Sequence, residues 1–368
     1  MPNQFLTIKE VARQALPRLI ENLVFPNLVY KDFSDTFQKQ GDEIQIRKPA
    51  KLEAKEFKAS EGVKAQDIDD SQTVTVKLDK IATVDVEISA LEGALNIDNL
   101  NRQFIEPAAV ALAQKINSDG LELYKDIPYA CGTAGTTPSA LTDLAAVRKV
   151  LNANKVPVAG RKAVWDTEAD AAFTTIPAIV NAEKSGSTQA LREGSIGRLF
   201  GLDNYMSQAV KRHEAGSLSA AVKPKANTSK GATVITLSAT AVTGTLKNGD
   251  ILTISGKNYV VTIDSTAVSN EITVGIYPAL QDDITTSTAV TIAASHTANL
   301  AFAPMAFAFV TRPLAVPSGV ECYTTSYNGV SLRVTKGYDM KYKKEMLSMD
   351  VLYAYKTIYP ELAVRALG

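Results

Sequence analysis

Residues 217–298 contain no Phe, Trp, Arg, Met or Cys, although the whole chain has 11 Phe and 6 Met. The stretch is rich in Thr, Ser, Val, Ala and Ile, and short alternating runs recur along it at residues 233–237, 251–255, 259–264, 271–275 and 289–293. Turn signals separate the runs: Lys247-Asn248-Gly249-Asp250, Ser255-Gly256-Lys257-Asn258 and Ser269-Asn270. A period of two marks half-buried strands, so the stretch predicts a small all-β barrel or sandwich. Mixed helix-and-strand sequence lies on both sides of it. It is therefore read as a domain inserted into another, which requires its two ends to meet at a surface loop of the host.

The host is organised around residues 101–126, NRQFIEPAAVALAQKINSDGLELYKD. Ala109, Leu112, Ala113, Ile116 and Leu123 recur every three or four positions, the stripe of a long helix. Gln114, Lys115, Asn117, Asp119, Glu122 and Lys125 are expected off that stripe. Pro107 suits a first turn, where its missing N–H is no loss. Gly120 costs about 1 kcal/mol against Ala, so packing must hold that turn. Ahead of this spine, Ile8, Val11, Ala12, Ala15, Leu19 and Leu23 share one face of an amphipathic segment that Pro17 interrupts. Residues 23–30 read as extended, with Pro26 barring a helix.

Residues 41–49 alternate through Ile44 and Ile46. Residues 73–89 alternate longer, through Val74, Val76, Leu78, Val84, Val86 and Ile88, and the two runs are expected to pair antiparallel. Between them, residues 50–72 carry Lys51, Glu53, Lys55, Glu56, Lys58, Glu61 and Lys64. A loop this long inside a compact domain is usually functional or disordered. Its mixed charges suit ion pairs with another subunit and equally suit a solvated loop. Past the spine, residues 131–138 form a Gly/Thr turn without the Gly-Lys-Ser/Thr of a phosphate loop. A helix over 139–152 capped by Ser139 follows. Next come a strand over 161–166 with the single Trp, a helix over 167–174 and a turn at Gly194–Gly197. After the insert, residues 299–317 read as a buried strand. Residues 323–327 and 330–335 read as a hairpin closed by Asn328-Gly329, 337–357 as one long strand, and 363–367 as the closing segment. The fold class is α+β with an inserted barrel.

The 368 residues predict two or three domains. Lys plus Arg and Asp plus Glu both total 39, so charge alone indicates no nucleic-acid binder. Zero net charge is tolerable for a protein that assembles. Two cysteines, Cys131 and Cys322, make no disulfide framework. Residues 1–10 are polar and mixed, unlike a signal peptide. The longest apolar run, residues 300–310, contains Pro304 and is too short to span a bilayer as a helix. The expectation is a soluble chain of a reducing compartment. No HExxH, GxSxG, CxxC or Walker motif occurs. Asp69-Asp70 and Asp282-Asp283 read as solvated turn carboxylates. The only two histidines, His213 and His296, flank the insert, whose joined ends would bring them together. They are either a two-histidine metal site or exposed linker residues. No catalytic residue, cofactor or metal ligand is assigned.

The order of parts is N-terminal arm, charged hairpin loop, spine helix, α/β region with inserted β domain, apolar return strand and terminal hairpin. That order resembles the major capsid (coat) proteins of tailed bacteriophages, the HK97-like fold, and the insert resembles the P22-like coat branch. The residues that carry the likeness are 193–202 (EGSIGRLFGL), 299–302 (NLAF) and 325–367. After NLAF this chain has Ala303-Pro304-Met305 where the family pattern has His or Arg, and its insert is shorter than that of P22. The resemblance implies an arm at 1–40, an extended-loop hairpin at 41–92 and a peripheral domain with the spine at 93–138. It implies an axial domain at 139–216, the inserted domain at 217–298, an axial return at 299–325 and peripheral C-terminal strands at 326–368.

The resemblance implies copies forming hexamers and pentamers of an icosahedral virion shell around double-stranded DNA, assembled in the host bacterial cytoplasm and without a membrane. The implied partners are a separate scaffolding protein, a portal protein and decoration proteins. An insert of this kind is implied to aid folding and to brace capsomers. Candidates for contacts between subunits are the seven charged residues of the 50–72 loop with Lys223, Lys225, Lys230, Asp282 and Asp283 of the insert. Two other classes stay open: an encapsulin-like shell around enzyme cargo, and a surface adhesin that holds carbohydrate on the β insert. Deleting residues 52–70 is expected to leave a soluble, folded subunit that builds no closed particle. Electron microscopy of the deletion variant checks this, and normal shells would overturn the role given to the loop.

Overall fold

The computed structural model describes residues 8–31, 43–47, 73–88, 105–181, 192–218, 221–339 and 344–368. The 50–72 loop, with Asp69-Asp70, lies outside them. The chain divides into two compact units. One comprises Met1–Ile20, Lys31–Leu112 and Phe309–Ile358, the other Glu21–Tyr30, Ala113–Ala308 and Tyr359–Gly368.

In the first unit, the helix Ile8–Asn22 begins and runs through Pro17 instead of stopping there. Val11, Ala12, Ala15 and Leu19 are buried as the stripe predicts, and that burial outweighs the hydrogen bond a proline forfeits. The alternating run 73–89 is two strands, Thr73–Lys77 and Lys80–Ile88. The first pairs antiparallel with Glu43–Arg47 as expected, Ile44 opposite Val76 and Ile46 opposite Val74. The second pairs instead with Lys344–Thr357, Val84 opposite Met349 and Val86 opposite Leu347. Two short strands can each follow a different partner, which one straight strand cannot.

The predicted hairpin is Glu321–Tyr327 and Val330–Asp339. Asn328 and Gly329 both sit at positive φ, 52° and 71°, as a tight two-residue turn requires. The run 337–357 is not one strand, because Val330–Asp339 ends and Lys344–Thr357 returns antiparallel, with Arg333 opposite Asp350. Arg333 donates to Asp350 Oδ2 from Nε at 3.0 Å and from Nη2 at 2.6 Å. Val76, Leu78, Val310, Leu352 and Ala354 form an apolar cluster of this unit.

The spine helix Glu106–Leu121, whose residues up to Leu112 belong to the first unit, continues in the second as a tighter 3-10 turn, Glu122–Asp126. Ala109, Leu112, Ala113 and Ile116 are buried as predicted. Beyond Gly120 the tighter turn moves the buried position from Leu123 to Leu121 and Tyr124. Asn117 and Asp119, expected off the stripe, are buried too. Asn117 holds two helix ends: its Nδ2 donates to the carbonyl of Asn22 at 2.9 Å, and its Oδ1 accepts from the N–H of Phe25 at 3.2 Å. Residues 23–30 are therefore not wholly extended. Phe25–Leu28 is one helical turn, with Pro26 where a free N–H is not needed. Phe25 packs on Phe302 and Phe307, ring centroids 5.5 and 5.6 Å away.

A seven-stranded sheet forms the host body of this unit, in the order Ala130–Gly132, Ala363–Leu367, His296–Phe302, Arg161–Trp165, Leu202–Met206, Arg198–Leu199, with Arg212–His213 paired to His296–Phe302. Ala130–Gly132 and Ala363–Leu367 thus lie in one sheet with His296–Phe302 and Arg161–Trp165. The apolar run 299–317 is likewise two strands, His296–Phe302 and Phe307–Arg312, parted by the 3-10 turn Pro304–Ala306. Leu141–Ala153 and Thr167–Thr174 are helical as predicted. Asp143, not Ser139, closes the first of them, its Oδ2 accepting from the N–H groups of Ser139 and Ala140 at 2.9 and 3.0 Å. A carboxylate inside the first turn reaches both free N–H groups, which one serine hydroxyl does not. Leu144, Val147, Leu151, Trp165, Phe173, Ala301, Val364 and Ala366 belong to the core on this side of the sheet.

The insert is a six-stranded antiparallel sheet in the order Val290–Ile292, Ile251–Ile254, Lys257–Val261, Glu271–Tyr277, Val234–Ser238, Lys223–Pro224, with a two-stranded piece, Thr245–Leu246 with Ser265–Thr266. Each of the five predicted runs overlaps a strand, although the run 259–264 is strand only as far as Val261. Its core, built on Ile235, Leu237, Leu252, Tyr259, Val261, Ile272, Val274 and Ile276, is separate from the host core. Phe302→Ala removes one of the three mutually packed rings of Phe25, Phe302 and Phe307 and is expected to cost about 3–5 kcal/mol, read by urea unfolding of the whole chain.

Candidate functional site

None of the seven charged loop candidates, Lys51, Glu53, Lys55, Glu56, Lys58, Glu61 and Lys64, lies within the described residues. The five insert candidates do, and all are exposed. Three of them have partners inside the insert. Lys225 pairs with Glu271 at 2.6 Å and Asp282 with Lys257 at 2.6 Å, while Asp283 accepts from the backbone N–H of Lys230 at 2.7 Å. Exposed pairs of this kind contribute about 0–1 kcal/mol each, so they open readily to a new partner. Lys223 lies at the sheet edge in Lys223–Pro224.

The densest chemistry lies where the insert joins the sheet. Strand alternation sends Val364 and Ala366 to the helix-covered core and Arg365 to the opposite side. His213 and His296 stand opposite each other in the pair Arg212–His213 with His296–Phe302, ring centroids 5.3 Å apart. Both are buried, at 3% and 1% exposure, so they are not exposed linker histidines. Nε2 of His213 lies 2.7 Å from Asp250 Oδ1, and Nδ1 lies 3.0 Å from the hydroxyl of Tyr124. A carboxylate only accepts, so Nε2–H donates to Asp250, and Nδ1 shares a hydrogen bond with the Tyr124 hydroxyl. Asp250 is fully engaged. It also accepts from the N–H of Gly216 at 3.1 Å and from that of Lys247 at 2.7 Å.

Arg365 lies wholly buried beside them. Its Nη2 donates to the carbonyls of Gly249 at 2.9 Å and Ile127 at 3.4 Å, and its guanidinium sits 5.1 Å from the Tyr124 ring centroid. Its Nε and Nη1 have no hydrogen-bond partner among the described residues. Burial pushes the Arg365 pKa down to about 10 and raises that of the Tyr124 hydroxyl above its ordinary value. At the rim, Lys125 and then Lys211 hold the Glu122 carboxyl down at about 2, against burial. Glu122, Lys125, Lys211, Arg212, Lys247 and Asp264 help line a cleft of about 630 Å³ next to Tyr124 and His213.

This arrangement orients groups and holds them. Both ring nitrogens of His213 are committed to hydrogen bonds, so the histidine pair has no two free lone pairs to offer a metal. No cluster of three or more metal-ligating side chains occurs among the described residues. Tyr124 directs its hydroxyl at His213, and burial disfavours its phenolate. The sequence pointed to the histidine pair and missed Tyr124, Asp250 and Arg365. The available signal was a lone arginine inside the apolar strand Ala363–Leu367.

No protein-family model matches the sequence, and no curated protein matches it. Similarity is found among solved structures. A chain of Mycobacterium phage Che8 aligns with a TM-score of 0.56 at 16% identity, covering 94% of this chain and 90% of that one. The capsid structure of cyanophage P-SCSP1u gives 0.48 at 11%, covering 90% and 84%. A virus-like particle from Pyrococcus furiosus gives 0.42 at 9%, covering 97% and 98%. The fold is the HK97-like capsid fold, α+β, here with an inserted β domain.

Asp250→Ala strips a buried acceptor from His213, Gly216 and Lys247 together. It is expected to destabilise the chain by about 3–5 kcal/mol in chemical denaturation.

Proposed function

We propose that this chain is the major capsid protein of a tailed bacteriophage. Copies of it form the hexamers and pentamers of an icosahedral head that encloses double-stranded DNA. The observation that carries this reading is the HK97-like fold over 94% of the chain, together with a β sheet that has a core of its own. In this reading a scaffolding protein templates assembly in the host cytoplasm, a portal protein occupies one vertex and decoration proteins bind the finished shell. The role is structural and not enzymatic.

The physical logic is that of many weak contacts. Exposed ion pairs are each worth about 0–1 kcal/mol, and a shell repeats them over every subunit. The charged loop 50–72 then lies over the adjacent subunit, and the exposed Lys223, Lys225, Lys230, Asp282 and Asp283 face neighbours across capsomers.

The test is expression of the chain with a phage scaffolding protein, followed by size-exclusion chromatography and negative-stain microscopy. Closed shells are expected. A chain that stays monomeric under these conditions overturns the proposal, and particles that carry an enzyme as cargo assign it to an encapsulin-like compartment instead.

A further inference from the structure

Both ends of the inserted domain reach the host sheet through one short strand pair, with His213 opposite His296. Nδ1 of His296 is 2.7 Å from the carbonyl of Ala294, so it bears the proton of the neutral ring. Nε2 has no hydrogen-bond partner among the described residues. A second proton on that atom would make a buried cation without an acceptor, near the guanidinium of Arg365 and the ring of His213. Asp250, the carboxylate that faces the pair, already accepts from His213, Gly216 and Lys247. Tyr124 faces His213 with a hydroxyl. Further out, Glu122 is held by Lys125 and Lys211, and Glu214 by Arg212. Lys247 and Asp264 stand at the rim of the cleft.

We propose that this cluster is an acid-released latch: uptake of a proton by His296 detaches the ends of the inserted domain from the host sheet, while the insert and the sheet each keep their own fold. The two apolar cores are separate, and none of Tyr124, His213, Asp250, His296 and Arg365 belongs to either. The junction therefore has a way to open that neither core shares. Burial first, with Arg365 and His213 adding to it, lowers the His296 pKa to about 4, while the Ala294 carbonyl and Asp250 pull the other way. A free imidazole titrates near 6.5. Between about 6.5 and about 4 the released form holds a proton that the latched form does not, so the latch is intact above this window and weakens as pH falls through it. Between pH of about 6.5 and about 4.5 the latched-to-released ratio is expected to fall on the order of a hundredfold. The inference goes beyond the capsid reading and does not depend on it.

The experiment uses the full chain, with its two histidines isotope-labelled, between pH 7.5 and 4.5. Histidine NMR reads protonation, with His213→Gln assigning the signals. Hydrogen–deuterium exchange corrected for intrinsic rates reads opening. Residues 211–217 and 294–298 are expected to lose up to a hundredfold in protection in step with His296 titration. Residues 161–165, 251–261 and 271–277 are expected to keep theirs. His296→Gln should remove the pH dependence at the junction. Titration of His296 near 6.5 without loss of protection overturns the proposal. So does loss of protection by all segments together, or an unchanged pH dependence in His296→Gln. Should that variant not fold, the wild-type titration decides alone.

Discussion

The pairing of Arg212–His213 with His296–Phe302 is the constraint on which the second unit depends. About eighty residues separate these strands in sequence, and an insertion is tolerated only where its ends meet. Here they meet as neighbours in a sheet. The same strand, His296–Phe302, goes on to pair with Arg161–Trp165 on one edge and Ala363–Leu367 on the other. It therefore carries the exit of the insert and the middle of the host sheet in a single run of seven residues.

The polar groups at this junction contribute position more than net stability. Burying Arg365 carries a desolvation cost that its hydrogen bonds offset only in part, as its unmatched Nε and Nη1 show. Stability comes from the two apolar cores, which are separate. What the relay from Tyr124 through His213 to Asp250 adds is direction. It joins the end of the spine helix, the root of the insert and a turn within the insert, and leaves one arrangement in which every atom of the relay is matched.

Much of this was legible from patterns of period two and 3.6. The insert strands, the Asn328-Gly329 hairpin, the spine stripe and the first helix face all follow from apolar spacing. The failures share a cause. Residues 73–89, 299–317 and 337–357 each read as one strand, because the alternation continues on both sides of Leu78-Asp79, of Pro304 and of the interval between Asp339 and Lys344. Only the tertiary partners reveal that the halves belong to different pairings. Asn117 and Asp119 were placed off the stripe because polarity was taken as exposure, whereas Asn117 is buried to hold two backbone ends. The histidines were found through their flanking positions. Their partners were not, since Tyr124, Asp250 and Arg365 come from segments with no spacing in common.

The strand Ala363–Leu367 presents valine and alanine to one layer and an arginine to the other. Because the carbonyl of Gly249 and the carboxylate of Asp250 complete that second layer, the host supplies half of a socket and the insert the matching half of the plug. Anyone exchanging this insert for a foreign β module would have to transplant an acidic residue and its preceding glycine along with it. A module chosen for shape alone would arrive at a scaffold still asking for a counter-charge.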